Sequence, residues 1–288
     1  MTSTAEVARG LLARCAFPPA GTAAVSGGAD STALLVLAVE AGCDVKAVHV
    51  DHGLRPGSAD EADHVAELAR DLGVPFRAER VVVAPGPNLE ARAREARRSV
   101  LGPGAMTGHT ADDQAETLLL QLLRGAGTTG LAAMRPGPTK PVLALRRSET
   151  RGLCEARGLS VLEDPTNADP RFRRNRVRAD LVPLLDAIAE RDTTPLLARA
   201  AALLAEDDRH LDALAADLDP TDARALADAP AALARRAIRR WLTADRTYPP
   251  DLATVDRVLQ VARGEIRATD IGSGRRVERT AGKLRLAH

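Results

Sequence analysis

The sequence predicts an α/β fold: a parallel sheet covered on both faces by helices, followed by a smaller, mainly helical domain. Three observations point there. Short apolar runs alternate with stretches of helical period over the first ~170 residues, the pattern of strand–helix–strand crossovers. The run Thr22–Val25 leads into paired glycines and then directly into a helix. Beyond about Pro170 the strand signal fades, and an Arg-rich segment gives way to helical periodicity.

Thr22–Val25 reads as the first strand, and its helix runs from about Ser31 to Glu40, stopping near Gly42. Val45–Val50 is the second strand. Ser58, with Glu61 three residues on, forms a capping box that opens a helix to about Leu72, ended by Gly73. Phe76–Val83 is a third strand, and Asn88 caps a helix over Leu89–Ser99. Ala105–Gly108 is a short strand. The long helix after it, about Ala111–Arg124, places Ala111, Ala115, Leu118, Leu119, Leu122 and Leu123 on one face, and Gly125 ends it. Pro141–Leu145, a helix from Ser148 and a short strand near Ser160–Leu162 complete the alternation. Later, Leu197, Leu204, Leu211 and Leu218 recur every seven residues, a spacing better explained by a buried stripe in a small helical domain than by a coiled coil. Thr269–Leu286 reads as a small hairpin around Gly272-Ser273-Gly274. The expected domains are 1–188 and 189–288.

The chain has 288 residues, enough for two domains. With 45% hydrophobic and 27% charged residues it is an ordinary globular sequence, which excludes a wholly disordered chain. No apolar run approaches the ~18 residues of a membrane span, and the N-terminus lacks a signal-peptide pattern. Cys15, Cys43 and Cys154 are too scattered for a disulfide framework or a CxxC knuckle, so a reducing cytoplasm is the expected compartment. Aromatic residues make up 2%, which argues against a sheet that stacks RNA bases on rows of Phe and Tyr. Net charge is +1, and lysines account for only Lys46, Lys140 and Lys283 among 40 basic residues. In so arginine-rich a chain only clustered arginine carries information.

The sharpest feature is Ser26-Gly27-Gly28-Ala29-Asp30-Ser31, which follows a strand and opens a helix. The glycines let the backbone turn tightly and present bare N–H groups, the helix adds the positive end of its dipole, and Ser26 and Ser31 add hydroxyls. Such a loop holds a polyanion without a lysine. There is no GxxxxGK[ST] in the chain, and Gly125-Ala126-Gly127-Thr128-Thr129-Gly130, which matches GxGxxG, follows a helix, so it reads as a helix stop and flexible loop.

Other segments add chemistry. His49, Asp51 and His52 sit on a strand end, where alternate residues face opposite sides, so no metal site is expected of them. Asp113 and Glu116 are three apart and share a helix face. They suit an ammonium group or Mg²⁺, and equally suit the preference of acids for a first helical turn, which suffices for Asp112. Arg171, Arg173, Arg174, Arg176 and Arg178 form the densest basic cluster, read either as a phosphate grip or as a solvated helix start.

The SGGADS segment resembles the pyrophosphate-loop ATPases. With HVDHGLR, NLEARAREARR, GHTADDQAET, LLRGAGTTGL, EDPTN and RRNRVR in that order, residues 21–185 resemble the tRNA(Ile)-lysidine synthase family within them. The resemblance implies an adenine-nucleotide α-hydrolase-like, Rossmann-like catalytic domain and a tRNA-contacting helical domain. It implies a carbon–nitrogen ligase that adenylates the wobble cytidine of a CAU-anticodon isoleucine tRNA with ATP, then lets free L-lysine attack. Ser26, Gly27, Gly28, Ala29, Asp30 and Ser31 would hold ATP, with Asp30 catalytic, near the phosphates or their Mg²⁺. Asp113 and Glu116 would hold lysine, and Arg171, Arg173, Arg174, Arg176 and Arg178 the tRNA. A cytidine thiolase of the same superfamily and a non-catalytic tRNA- or nucleotide-binding relative are the alternatives; against the thiolase, Cys15, Cys43 and Cys154 cannot supply the CxxC pairs that such relatives use. Oligomeric state stays open, a homodimer included.

Overall fold

The computed structural model describes residues 4–51, 58–81, 92, 96, 99–163, 169–244 and 249–287. The chain divides into two compact units, Met1–Ala205 and Glu206–His288. In the first, the described elements run α1 (Thr4–Leu12), β1 (Ala20–Ala24), α2 (Ala29–Glu40), β2 (Asp44–Asp51), α3 (Ser58–Asp71), β3 (Phe76–Arg80), β4 (Met106–Thr107), α4 (Ala111–Leu122), the short α5 (Thr128–Leu131) and α6 (Arg147–Ala156). Then α7 (Arg173–Arg176) passes through a π-helical turn, Val177–Leu181, into α8 (Val182–Ala189).

The four strands form a parallel sheet in the order β3-β2-β1-β4. The chain therefore steps outward from β1 to β3 and returns to the other side of β1 for β4. That reversal opens a crevice beyond the carboxyl ends of β1 and β4, where sheets of this kind bind ligands. Helix α2 rises from the β1 side of the crevice and α4 from the β4 side. From Ser31 to Ala38 every residue of α2 is buried, because the helix is apolar all round and lies in the core with Val45, Ala47, Met106, Leu145 and Leu153.

Two expected strands are absent. Pro141–Leu145 is a series of turns, with Leu143 N–H bonded to the Lys140 carbonyl and Leu145 N–H to that of Val142. Its apolar residues are buried beneath the crevice rather than paired in a ladder. Ser160–Leu162 is extended but joins no sheet; the Leu162 N–H bonds to the Gly27 carbonyl at 2.9 Å. The helix expected over Leu89–Ser99 lies mostly outside the described residues, as do Val82, Val83 and the segment His52–Arg55. The GxGxxG decoy is not a loose loop: Gly127 caps the single turn α5, and a Cβ on Gly130 would fall 2.6 Å from that of Ala126.

Helix α9 (Thr194–Ala216) carries Leu197, Leu204 and Leu211 of the seven-residue repeat, and Leu218 lies just past its end. Its buried positions are Thr194, Ala201, Ala205, Asp208 and Ala215, while the repeat's leucines are only half-buried. Small residues let neighbours approach closely, so the stripe is alanine, not leucine. In the second unit α10 (Ala223–Asp228), α11 (Ala231–Thr243) and α12 (Leu252–Arg263) pack Leu226, Ile238, Leu242 and Val258 against a three-stranded antiparallel sheet. Its strands are β5 (Ala268–Gly272), β6 (Arg275–Thr280) and β7 (Lys283–Ala287), so the expected hairpin gains a third strand. Asp208, fully buried, accepts from Arg236 Nη1 at 2.7 Å, and Asp212 accepts from the same nitrogen. Asp208→Ala should destabilise the protein by about 2–3 kcal/mol in denaturant melts, less than for a wholly stranded buried charge because Asp212 still faces Arg236.

Candidate active site

The loop after β1 is built by the sequence itself. Gly27 takes φ +84°, a left-handed conformation that glycine adopts without strain, and a Cβ there would lie 2.6 Å from Leu162 Cδ1. Ser31 Oγ closes the loop: it donates to the Gly28 carbonyl at 2.9 Å and accepts from the Ser26 N–H at 3.1 Å, and the Ser26 hydroxyl lies 3.1 Å from it. Thr32 donates to the Gly27 carbonyl. The first amides of α2 have no partner within the helix and point into the loop mouth with the positive end of its dipole. The arrangement suits a pyrophosphate.

The β4 side meets this loop at Gly108. A Cβ there would lie 2.6 Å from the Asp30 carbonyl oxygen and 2.9 Å from Ser31 N, so only glycine lets the strand end press against the start of α2. His109 Nδ1 lies 2.7 Å from Thr107 Oγ1, to which Lys140 Nζ donates at 2.6 Å. Thr110 then caps α4, its N–H donating to Asp113 Oδ2 at 2.8 Å. His49, on β2, is buried with Nδ1 donating to the Val25 carbonyl at 2.9 Å, beside the same loop.

Three carboxylates converge on one guanidinium. Arg147, the first residue of α6, donates from Nη1 to Glu116 at 3.1 Å, from Nη2 to Asp113 at 3.1 Å and from Nε to Asp30 at 3.4 Å. Glu116 is 2% exposed and takes two more arginines: Arg174 Nε at 2.7 Å and Arg178 Nε at 2.7 Å. Arg174 Nη2 also reaches Asp113 at 3.1 Å. Asp112 is tied to the start of α6 as well, accepting from the Arg147 N–H at 2.8 Å and from Arg146 Nε at 3.1 Å, so it joins elements rather than merely favouring a helix dipole. Asp30 also accepts from the Thr150 hydroxyl.

The environment separates the two aspartates. Burial raises the Asp30 carboxyl above its ordinary range, and Thr150 and Arg147 offset this only in part. Burial acts the same way on Asp113, but Arg147 and Arg174, helped by His109 and the Thr110 amide, outweigh it and hold that carboxyl below the ordinary range. Desolvation works against charge on Arg147, yet Asp113, Glu116 and Asp30 keep it firmly protonated.

The structure thus brings Ser26–Ser31, Asp113 and Glu116 to one crevice. The five arginines of 171–178 divide. Arg174 and Arg178, four apart, turn inward to Glu116, whereas Arg171, Arg173 and Arg176 are exposed, Arg171 paired with Asp169 and Arg176 with Asp180. Sequence reasoning missed Arg147, Thr150, Gly108 and Leu162, which reach the site by tertiary folding. Asp164–Asn167 lie outside the described residues.

Residues 18–185 match a PP-loop domain family, and residues 222–283 match the TilS substrate binding domain. The tRNA(Ile)-lysidine synthase of Nocardia farcinica is 44% identical over 266 residues, 86% of this chain and 84% of that protein. Those of Rhodococcus erythropolis (43%, covering 76% and 72%) and Mycobacterium tuberculosis (39%, covering 84% and 81%) are similar. Among solved structures, the U34-tRNA thiolase NcsA of Methanococcus maripaludis shares the fold, with a TM-score of 0.55 at 16% identity, over 70% of this chain and 79% of that one.

Two outcomes test the site. Gly108→Ala should weaken ATP binding by roughly tenfold or more in calorimetry, because the new methyl displaces the start of α2. For Asp113, whose folded-state carboxyl is depressed, ionisation stabilises the fold above the unfolded value of about 3.9, and that stability is lost as pH falls through the folded value. Urea melts should therefore show wild type losing more stability than Asp113→Asn between about pH 5 and pH 3. With a PP-loop domain over most of its first unit, the substrate-binding domain in its second and close relatives along nearly its full length, the chain belongs to the tRNA(Ile)-lysidine synthase family.

Proposed function

We propose that this chain catalyses lysidine formation in two steps. The C2 carbonyl oxygen of the wobble cytidine attacks the α-phosphorus of ATP, expelling pyrophosphate. The neutral ε-amine of free lysine then adds to C2, and AMP leaves. One observation carries the reading: a loop fit for pyrophosphate and a carboxylate pair fit for an amino acid's ammonium share one crevice, 3.1–3.4 Å either side of Arg147.

The chain's own groups account for each requirement. The loop amides and the hydroxyls of Ser26 and Ser31 take the charge that builds on the leaving pyrophosphate. Arg147 sits between phosphate and amine sites and can turn to the α-phosphate once lysine neutralises Asp113 and Glu116. A lysine amine needs its pKa of about 10.4 lowered to react. Carboxylates alone would raise it; the guanidiniums of Arg147, Arg174 and Arg178 beside them push the other way. Mg²⁺ fits as an ion carried on the nucleotide phosphates, with Asp30 as its protein carboxylate, the usual mode for this ion. Bound there, it would neutralise the departing pyrophosphate. Among the described residues no group of three or more His, Cys, Asp or Glu would hold a metal unaided. No described helix is long and apolar enough to cross a membrane, in keeping with an enzyme of the cytoplasm acting on tRNA.

Incubation with ATP, Mg²⁺, labelled lysine and unmodified CAU-anticodon isoleucine tRNA should give labelled tRNA and one AMP per lysine; absence of both products rejects the reading. Asp30→Ala should abolish both. Asp113→Asn should raise the KM for lysine by roughly tenfold or more while the KM for ATP changes little, and an equal effect on both would remove Asp113 from the lysine site.

A further inference from the structure

A groove of 460 Å³ opens on the first unit between the end of α4 and the π-helical turn after α7. Its floor is apolar, with Leu120 and Leu123 on one side and Leu181 and Leu184 on the other. Leu123 is 70% exposed and Leu184 55%, large apolar surfaces left to solvent. Arginines rim it: Arg124, Arg173 and Arg176. The acid there, Asp180, pairs with Arg176, which leaves Arg124 and Arg173 with no ion pair among the described residues.

The groove adjoins the carboxylate site through both of its walls. Leu120 lies four residues beyond Glu116, about 6 Å along α4. On the other wall, Arg174 and Arg178 reach inward to Glu116, while Arg173 and Arg176 of the same turn face the groove. A strand that brings its target base to a lysine held at Asp113 and Glu116 has this surface beside it.

We propose that the groove holds the single-stranded nucleotides flanking the target cytidine, bases against the leucines and phosphates against Arg124 and Arg173. The inference rests on the tRNA reading above and specifies where the loop lies. Charge selects this occupant. A polyanion satisfies the two unpaired arginines, whereas a symmetric contact with a second copy would bring the same arginines face to face. The leucines also supply the apolar base contact that so few aromatic residues can offer.

The test titrates wild type, Leu123→Ser/Leu184→Ser and Arg124→Gln/Arg173→Gln into a fluorescently labelled anticodon stem-loop of isoleucine tRNA, with ATP affinity measured alongside as a control for folding. The leucine variant should bind RNA roughly tenfold more weakly at unchanged ATP affinity. The arginine variant should flatten the plot of log Kd against log salt by about 1.4, two single-strand phosphate contacts at about 0.7 each. Wild-type RNA affinity in both variants overturns the proposal, as does a wild-type protein that does not bind the stem-loop. A leucine variant that keeps its RNA affinity but shifts from dimer to monomer in gel filtration identifies a second copy as the occupant and likewise overturns it. Wild type that binds RNA through the groove yet forms no lysidine supports the groove and rejects only the proposed reaction.

Discussion

Glu116 is a charge that the fold cannot leave alone. At 2% exposure its carboxylate is cut off from water, and a buried charge left without a partner is strongly destabilising. Three guanidiniums, from α6, α7 and the π-helical turn, close on it as ion pairs. Everything else in the crevice follows from that arrangement. Arg147 must stand at the start of α6 to reach it, and so also reaches Asp113 and Asp30. Arg174 and Arg178 must turn inward, which throws Arg173 and Arg176 onto the opposite face. The ion cluster therefore ties α2, α4, α6 and the arginine segment into one frame.

The topology decides what that frame can do. With β1 central and β4 on its far side, the phosphate loop and the start of α4 rise from neighbouring strands at the reversal of strand order. Gly108 brings them within van der Waals distance. On the proposed reading, a nucleotide on one side and an amino acid on the other would lie within a side chain's reach of Arg147, as a reaction passing an activated carbonyl from phosphate to amine requires.

Much of this was legible in the sequence because the signals are local. The phosphate loop and the shared face of Asp113 and Glu116 depend on residues within five positions of one another. Pro141–Leu145 and Ser160–Leu162 misled because a short apolar run looks the same whether it pairs in a sheet or packs as turns. Arg147 and Thr150 were invisible for another reason: they meet Asp30 across about 120 residues of chain, and in a sequence so rich in arginine one more arginine is no signal. The arginine cluster was legible as a cluster but not as two faces, since the division depends on a π-helical turn that no propensity announces.

Arg147, Arg174 and Arg178 form the ion pairs that hold Asp113 and Glu116. The distinction from lysine is one of reactivity. A guanidinium stays protonated far above physiological pH and offers no free electron pair, whereas an amine is a nucleophile whenever it loses its proton. On the proposed chemistry the activated cytidine is an electrophile awaiting an amine, and a wall of lysines would compete for it and leave the enzyme covalently joined to its own RNA. Under that reading, the arginines paired with Asp113 and Glu116 supply positive charge that is chemically mute, and the bond is left to a lysine arriving from solution.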